Sequence, residues 1–509
     1  MIVLRKTVFI KNALILTASS MILRFVGIIF KVWLAALIGS EGIGLYQLVF
    51  SVYVLAATFA TSGICTAVTR LVAEELALGS RKGTLKILRR AVQLTLIMAA
   101  ASVAVVYFGA EFIAEHFLGD MRAVPALKIL PLSLPFMGIT SCLRGYFIAR
   151  RKVTPNAVSQ LFEQAVRILL VVLLVKAFYS KGLAACCAAV LFGDTAAEIF
   201  SFLTLGLIWL KDRKKLSLSG RERPPFGIVR RILHISVPIT SGRYLNTALR
   251  TAENILVPKT LGKYPGNGAS ALSQFGMIKG MALPILFFPS TLLNSISTLL
   301  IPEISEAAAR EHTGLVKAAT RNILKLTSVI SFIFAAIFFV GGREIGMLIY
   351  NSADVGYLLR ALSPIVPLMY LDSISDGLLK GLDQQAFSFR TAVSDSAIRI
   401  LLILIMLPVM GLRGFIIIMY FSNLLTCLLN VGRLLKVSRA KLYILKELFL
   451  PLISALCIAL LADTALSLLG NISNLVYIIL LCVTALPSYM LLLFMFGVVK
   501  PDDIRNFLR

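Results

Sequence analysis

Apolar runs of about 20 residues, enough to cross a hydrocarbon layer about 30 Å thick, recur along the whole chain between short charged or Gly/Pro-rich breaks. In the first half they fall near residues 10–38, 44–69, 91–109, 123–149, 155–177 and 182–210. In the second half they fall near 232–260, 271–301, 322–341, 356–379, 386–411, 413–432, 448–470 and 473–498. Runs of this length, with no water to satisfy an open backbone, predict helices. The pattern is that of an all-α integral membrane protein with about fourteen transmembrane helices. The longest polar interruption, 211–231, carries Gly220, Pro224 and Pro225 and predicts a basic cytoplasmic linker between a lobe at 1–210 and a lobe at 232–435. Residues 436–509 are left as two additional C-terminal helices and a short tail.

The division is supported by an internal repeat. Residues 127–174 match 359–406 without a gap at a constant offset of 232. Pro135, Gly145 and Arg167 recur as Pro367, Gly377 and Arg399, matches far less cheap in membrane helices than Leu or Ile. The matched spans are the fourth and fifth of one half and the tenth and eleventh of the other. An even displacement keeps their direction, so the expected lobes are pseudo-symmetric, parallel and six-helical.

Composition agrees with lipid as the solvent: 58% of the 509 residues are hydrophobic, 15% are charged, and the mean hydropathy is +0.88. The net charge of +26 is distributed unevenly. Basic clusters at Arg5/Lys6/Lys11, Arg81 to Arg90, Arg150 to Lys152, 211–231, Arg310 to Lys325, Arg433 to Lys446 and Lys500 to Arg509 occupy alternate connections, which predicts that both termini are cytoplasmic. No basic patch stands beside stacking aromatics in a soluble module, so nucleic acid is excluded as a partner. The seven cysteines sit in apolar segments without metal-ligand spacing, and the three histidines form no cluster. No GxxxxGK[ST] loop appears; the expected energy source is an ion gradient, the membrane potential or the substrate gradient.

Ionisable residues inside spans each cost about 2.5 kcal/mol or more and ask for a partner or a purpose. Arg24 and Lys31 lie seven apart on one stripe of the first span with Ser20 and Gly27. The seventh span repeats the spacing in Arg243, Asn246, Arg250, Glu253 and Asn254. Snorkelling to the interface would account for a structural role. Unbalanced positive charge at the start of both halves instead points to an anion, which Arg grips through two parallel hydrogen bonds. Glu163 with Arg167, and Asp395 with Arg399, are acid-base pairs at i, i+4, whose simplest reading is mutual neutralisation. Asp194 with Glu198, and Asp372 with Asp376, are acid pairs without a base nearby on the same helix face. They could hold a proton or Na⁺, or answer the arginines.

Ser19-Ser20 through Arg24, Phe25-Val26-Gly27, Leu37-Ile38-Gly39, Gly42 to Gln47 and Ser62-Gly63-Ile64 resemble the polysaccharide-exporter branch of the multidrug/oligosaccharidyl-lipid/polysaccharide flippase superfamily. Within it the chain is similar to the stage V sporulation protein B group and the lipid II flippases. The resemblance implies a MATE-like fold in the bacterial cytoplasmic (inner) membrane and a non-enzymatic, alternating-access flippase. Its implied substrate is an undecaprenyl-diphosphate-linked cell-envelope glycan, a peptidoglycan precursor or polysaccharide unit, moved from the cytoplasmic to the outer leaflet. Arg24 falls where that family has its first-helix basic residue. The expected diphosphate ligands are Arg24, Lys31, Arg243 and Arg250. Glu253 and Asp395, meeting in the second lobe, are the expected site for a coupling Na⁺ or H⁺, with Asp194 and Glu198 as further candidates. No other cofactor or metal is expected. The expected partners are the lipid-linked anionic glycan, membrane lipids and other cell-envelope biosynthesis proteins, and the expected state is a monomer. A cation-coupled multidrug exporter of the same superfamily is the alternative, although it should want an acidic cavity. A membrane-embedded glycan polymerase would need catalytic carboxylates or a large outward loop.

Overall fold

The computed structural model describes residues 2–61, 63–214, 227–265, 270–468 and 472–499. It is 91% helix, with no strand among the described residues. Where the expected spans fall on described residues they lie largely on helix, and among those residues eight helices are long and apolar enough to cross a membrane. Two are too long for one crossing. The 60-residue helix Ile2–Thr61 and the 54-residue helix Gln385–Ser438 would run about 90 and 80 Å at 1.5 Å per residue. Each is interrupted by one glycine in a conformation that L side chains rarely adopt: Gly39 (φ 73°, ψ 177°) and Gly411 (φ 54°, ψ −134°).

The repeat extends well beyond the stretch legible in the sequence. Arg81–Phe108 and Thr313–Val340 are both 28-residue helices at the same offset of 232. The 16-residue helices Leu134–Ala149 and Val366–Gly381 coincide in the same way. Helix stops follow suit. Left-handed residues close the matched helices at Gly79 and Glu311, Gly119 and Asn351, and Arg151 and Asp383. Helix starts are capped at Asp120, which accepts the Arg122 N–H at 2.9 Å, and at the equivalent Ser352, which accepts from Val355 at 3.3 Å. Burial alone would raise the pKa of the Asp120 carboxyl, but the Arg122 hydrogen bonds outweigh it and hold it below its ordinary value.

The chain packs as two compact units, 1–30 with 41–259, and 31–40 with 260–509. In the first, Ile64, Leu71, Ile87, Tyr146, Phe147 and Leu205 belong to one buried cluster that also holds Ile232 from the seventh span. That helix, Ile228–Leu261, lies with the first unit up to Lys259. Packing and sequence repetition thus divide the chain at different points: the repeat starts its second copy at the seventh span, whereas contacts hold that span in the first unit. Most of the 211–231 linker lies outside the described residues. In the second unit the C-terminal helices Leu450–Ser467 and Asn474–Met495 bury Ala455, Ile458, Leu481 and Tyr489 against Val329, Ile333 and Ile337 of Thr313–Val340. Arg321 fixes the approach to these helices by donating to the buried Glu447 carboxylate from Nε at 2.8 Å and Nη2 at 2.6 Å.

Candidate functional site

The basic residues inside spans sort into two classes. Arg24 and Lys31 are both exposed on the first segment of Ile2–Thr61, ahead of the Gly39 break. Ser20 beside them is exposed too, and the space around Gly27 is open. Arg243 and Arg250 are exposed on the seventh span. Among the described residues no carboxylate stands within ion-pair distance of Arg24, Arg243 or Arg250. Arg24, Arg243 and Arg250 belong to the first unit and Lys31 to the second.

The seventh-span stripe divides along its length. Arg243 and Arg250 face outward, whereas Glu253 is buried and Asn254 turns inward to donate from Nδ2 to Ser51 Oγ at 3.0 Å. Thr251 Oγ1 donates to the Ser51 carbonyl at 3.1 Å. These bonds lock the helix onto the second segment of Ile2–Thr61, with the close approach at Gly63 completing the seam. A Cβ on Gly63 would lie 2.5 Å from the Ser236 carbonyl oxygen, and its φ of +75° independently favours glycine. Two arginines are thereby held, one on each side of Asn246, on the accessible face of a rigidly seated helix.

The other class is neutralised. Arg167 Nη2 reaches Glu163 at 2.9 Å, the expected intrahelical pair, and Nε lies 2.9 Å from Asp194 on Leu183–Lys214. Tyr46 also donates to Asp194, at 3.4 Å. Arg144 donates to the second oxygen of Glu163 at 3.1 Å, so that one carboxylate bridges two guanidinium groups. The sequence analysis gives Arg144 no role; its position five residues inside the end of Leu134–Ala149 is the signal that could have found it. Asp194 is answered by an arginine, and Glu198 lies one turn further along and half-buried.

In the second unit, Asp395 accepts from Ser422 at 2.6 Å and lies 3.9 Å from its i+4 partner Arg399. Asp372 accepts from Asn430 at 2.8 Å. The reading of Asp372 and Asp376 as lacking a nearby base needs correction: Lys380, one turn on, pairs with Asp376. Glu253 and Asp395 belong to the first and second units respectively. Among the described residues no group of three or more His, Cys, Asp or Glu side chains is arranged to hold a metal ion.

Residues 9–307, more than half of the chain, match a family described as polysaccharide biosynthesis protein. The chain belongs to that family. Along 98% of both chains this family member is 27% identical to stage V sporulation protein B of Bacillus subtilis (strain 168). Its fold is similar to that of the lipid II flippase MurJ in an inward closed conformation, with a TM-score of 0.72 at 15% identity over 97% of this chain and 100% of that one. It is also similar to an inward-facing multidrug resistance MATE family transporter of the MOP superfamily, with a TM-score of 0.63 at 13% identity over 83% of this chain and 100% of that one. The protein is a multi-pass membrane protein of the polysaccharide biosynthesis family, with the fold these transporters share.

Proposed function

We propose that the protein moves an undecaprenyl-diphosphate-linked cell-envelope glycan from the cytoplasmic to the outer leaflet by alternating access, using Arg24, Lys31, Arg243 and Arg250 to hold the diphosphate. The observation that carries this reading is the set of exposed arginines, Arg24, Arg243 and Arg250, on two spans, with no carboxylate within ion-pair distance among the described residues. Arginine facing acyl chains is costly. Arginine facing a water-filled passage is not, and it holds phosphate with bidentate geometry in a medium that strengthens charge–charge attraction. A passage lined this way disfavours the cationic substrates of a multidrug exporter. We place the protein in the bacterial inner membrane with both termini cytoplasmic, in keeping with the alternating basic connections. Its repeat-defined lobes, 1–210 and 232–435, are the elements we expect to alternate. Coupling to Na⁺ or H⁺ is assigned to Glu253 and Asp395, with Asp194 and Glu198 as the second pair.

The test is transport by the purified protein in liposomes loaded with a lipid-linked diphosphate sugar, a lipid-linked monophosphate sugar and, separately, a cationic dye. The proposal expects translocation of the diphosphate-linked lipid, little of the monophosphate and none of the dye. Dye transport without movement of the diphosphate-linked lipid would replace this reading with the multidrug one.

A further inference from the structure

On the surface of the first unit, three helices that carry none of the proposed diphosphate ligands flank an open, largely apolar groove of about 610 Å³. Its walls are Leu88 and Val92 of Arg81–Phe108, Leu143 of Leu134–Ala149, and Leu203 and Leu207 of Leu183–Lys214. At Gly206 an added Cβ would meet open space, so the groove is deepened where that helix lacks a side chain. The apolar walls end in charge at one level. Arg89 and Arg213 both line the groove, just outside the apolar runs 91–109 and 182–210, on the side that carries the basic connections. The Arg213 guanidinium lies over the Trp209 ring at 5.0 Å, which fixes its direction. Asp212, its chain neighbour, is engaged away from the groove, buried between Arg150, Lys152 and Tyr146. Among the described residues no carboxylate pairs with Arg89.

We propose that this groove is a binding site for a diacyl phospholipid with an anionic headgroup from the cytoplasmic leaflet, its chains along the leucine walls and its phosphate between Arg89 and Arg213. An apolar slot of acyl-chain character capped by two arginines at the membrane boundary is complementary to such a lipid and to no soluble anion, and basic pockets between helices at this level select anionic headgroups. Trp209, at the same level, is a residue type favoured at the headgroup interface. The site is independent of transport: it tethers the helices of the first unit to one leaflet.

The two tryptophans of the chain make the test direct. With Trp33→Phe as background, Trp209 reports alone on its surroundings. The protein is reconstituted into phosphatidylcholine vesicles containing a minor fraction of phosphatidylglycerol, with bromine carried on the acyl chains of either the anionic lipid or an equal fraction of the neutral one. Trp209 should be quenched more strongly by the brominated phosphatidylglycerol, corresponding to a preference on the order of tenfold. Arg89→Ala with Arg213→Ala should bring the two quenching curves together. Gly206→Phe, whose Cβ meets open space and whose ring would occupy the groove, should reduce quenching by both lipids. Equal quenching in the parent, a preference that survives the double arginine substitution, or quenching unchanged by Gly206→Phe would each overturn the proposal.

Discussion

At the level of single residues, the deciding contrast is between arginines that share an apolar setting but not a fate. Arg167 and Arg144 are tied to Glu163, and Arg167 also to Asp194. Arg24 and Arg250 stand exposed, with no carboxylate in ion-pair distance among the described residues. The i, i+4 spacing of Glu163 and Arg167 made their pairing legible in the sequence. The Asp194 contact was not, since it crosses from one helix to another and helical periodicity says nothing of a neighbour's identity. The same holds for Arg321 and Glu447, which sit 126 residues apart. Glu447 is 2% exposed and also accepts the Tyr443 N–H at 3.0 Å, so removing its charge leaves a half-buried guanidinium without its partner. Breaking a buried pair costs about 3–5 kcal/mol, and since Arg321 is 40% exposed the lower end applies. Glu447→Gln should therefore lower the thermal unfolding midpoint in detergent, and double substitution with Arg321→Met should recover part of the loss. A Glu447→Gln protein as stable as the parent would remove the clamp from the account.

Elements were the most legible scale. A period of apolar runs sufficed to find the spans, because in lipid a continuous run can hardly be anything but a helix. What it could not give was the joints: Gly39 falls just after one expected span and Gly411 at the end of another, and nothing in the pattern shows that helix continues through both. The repeat was visible over 127–174 through Pro, Gly and Arg, and invisible over Arg81–Phe108 and Thr313–Val340, where the two copies share helix length and stops and hardly a distinctive residue. Gly63 joins both lessons. The family-like Ser62-Gly63-Ile64 drew notice in the sequence, but its reason is the approach of Ser236 from the seventh span. Gly63→Ala should misplace that span and, with it, Arg243 and Arg250. The expected outcome is loss of transport accompanied by a lower unfolding temperature, whereas Ser236→Gly, which leaves in place the backbone that Gly63 approaches, should keep the seam and the fold. A Gly63→Ala protein with full transport would show that the seam does not position the arginines.

For the molecule as a whole, the sequence divides at a basic linker and the packing divides at Lys259, and the seventh span is the element on which the two descriptions differ. That helix begins the second copy of the repeat, is bonded through Thr251 and Asn254 to the first unit, and carries two of the four proposed diphosphate ligands. An excess of positive charge on the first and seventh spans was legible as a pattern of residue types. Their accessibility needed the fold, since only the fold distinguishes an arginine that meets a carboxylate on another helix from one that does not. The account stands on those arginines acting on an anion. The measurement that tests it most directly is liposome translocation of an undecaprenyl-diphosphate-linked sugar by the Arg24→Ala, Arg250→Ala double variant, with reconstituted protein quantified alongside. Transport should fall to background while the protein inserts and unfolds as the parent does, and Arg24→Lys, Arg250→Lys should restore only part of it, because an ammonium lacks the two-pronged geometry of a guanidinium. Full transport by the double alanine variant at normal insertion would contradict the account.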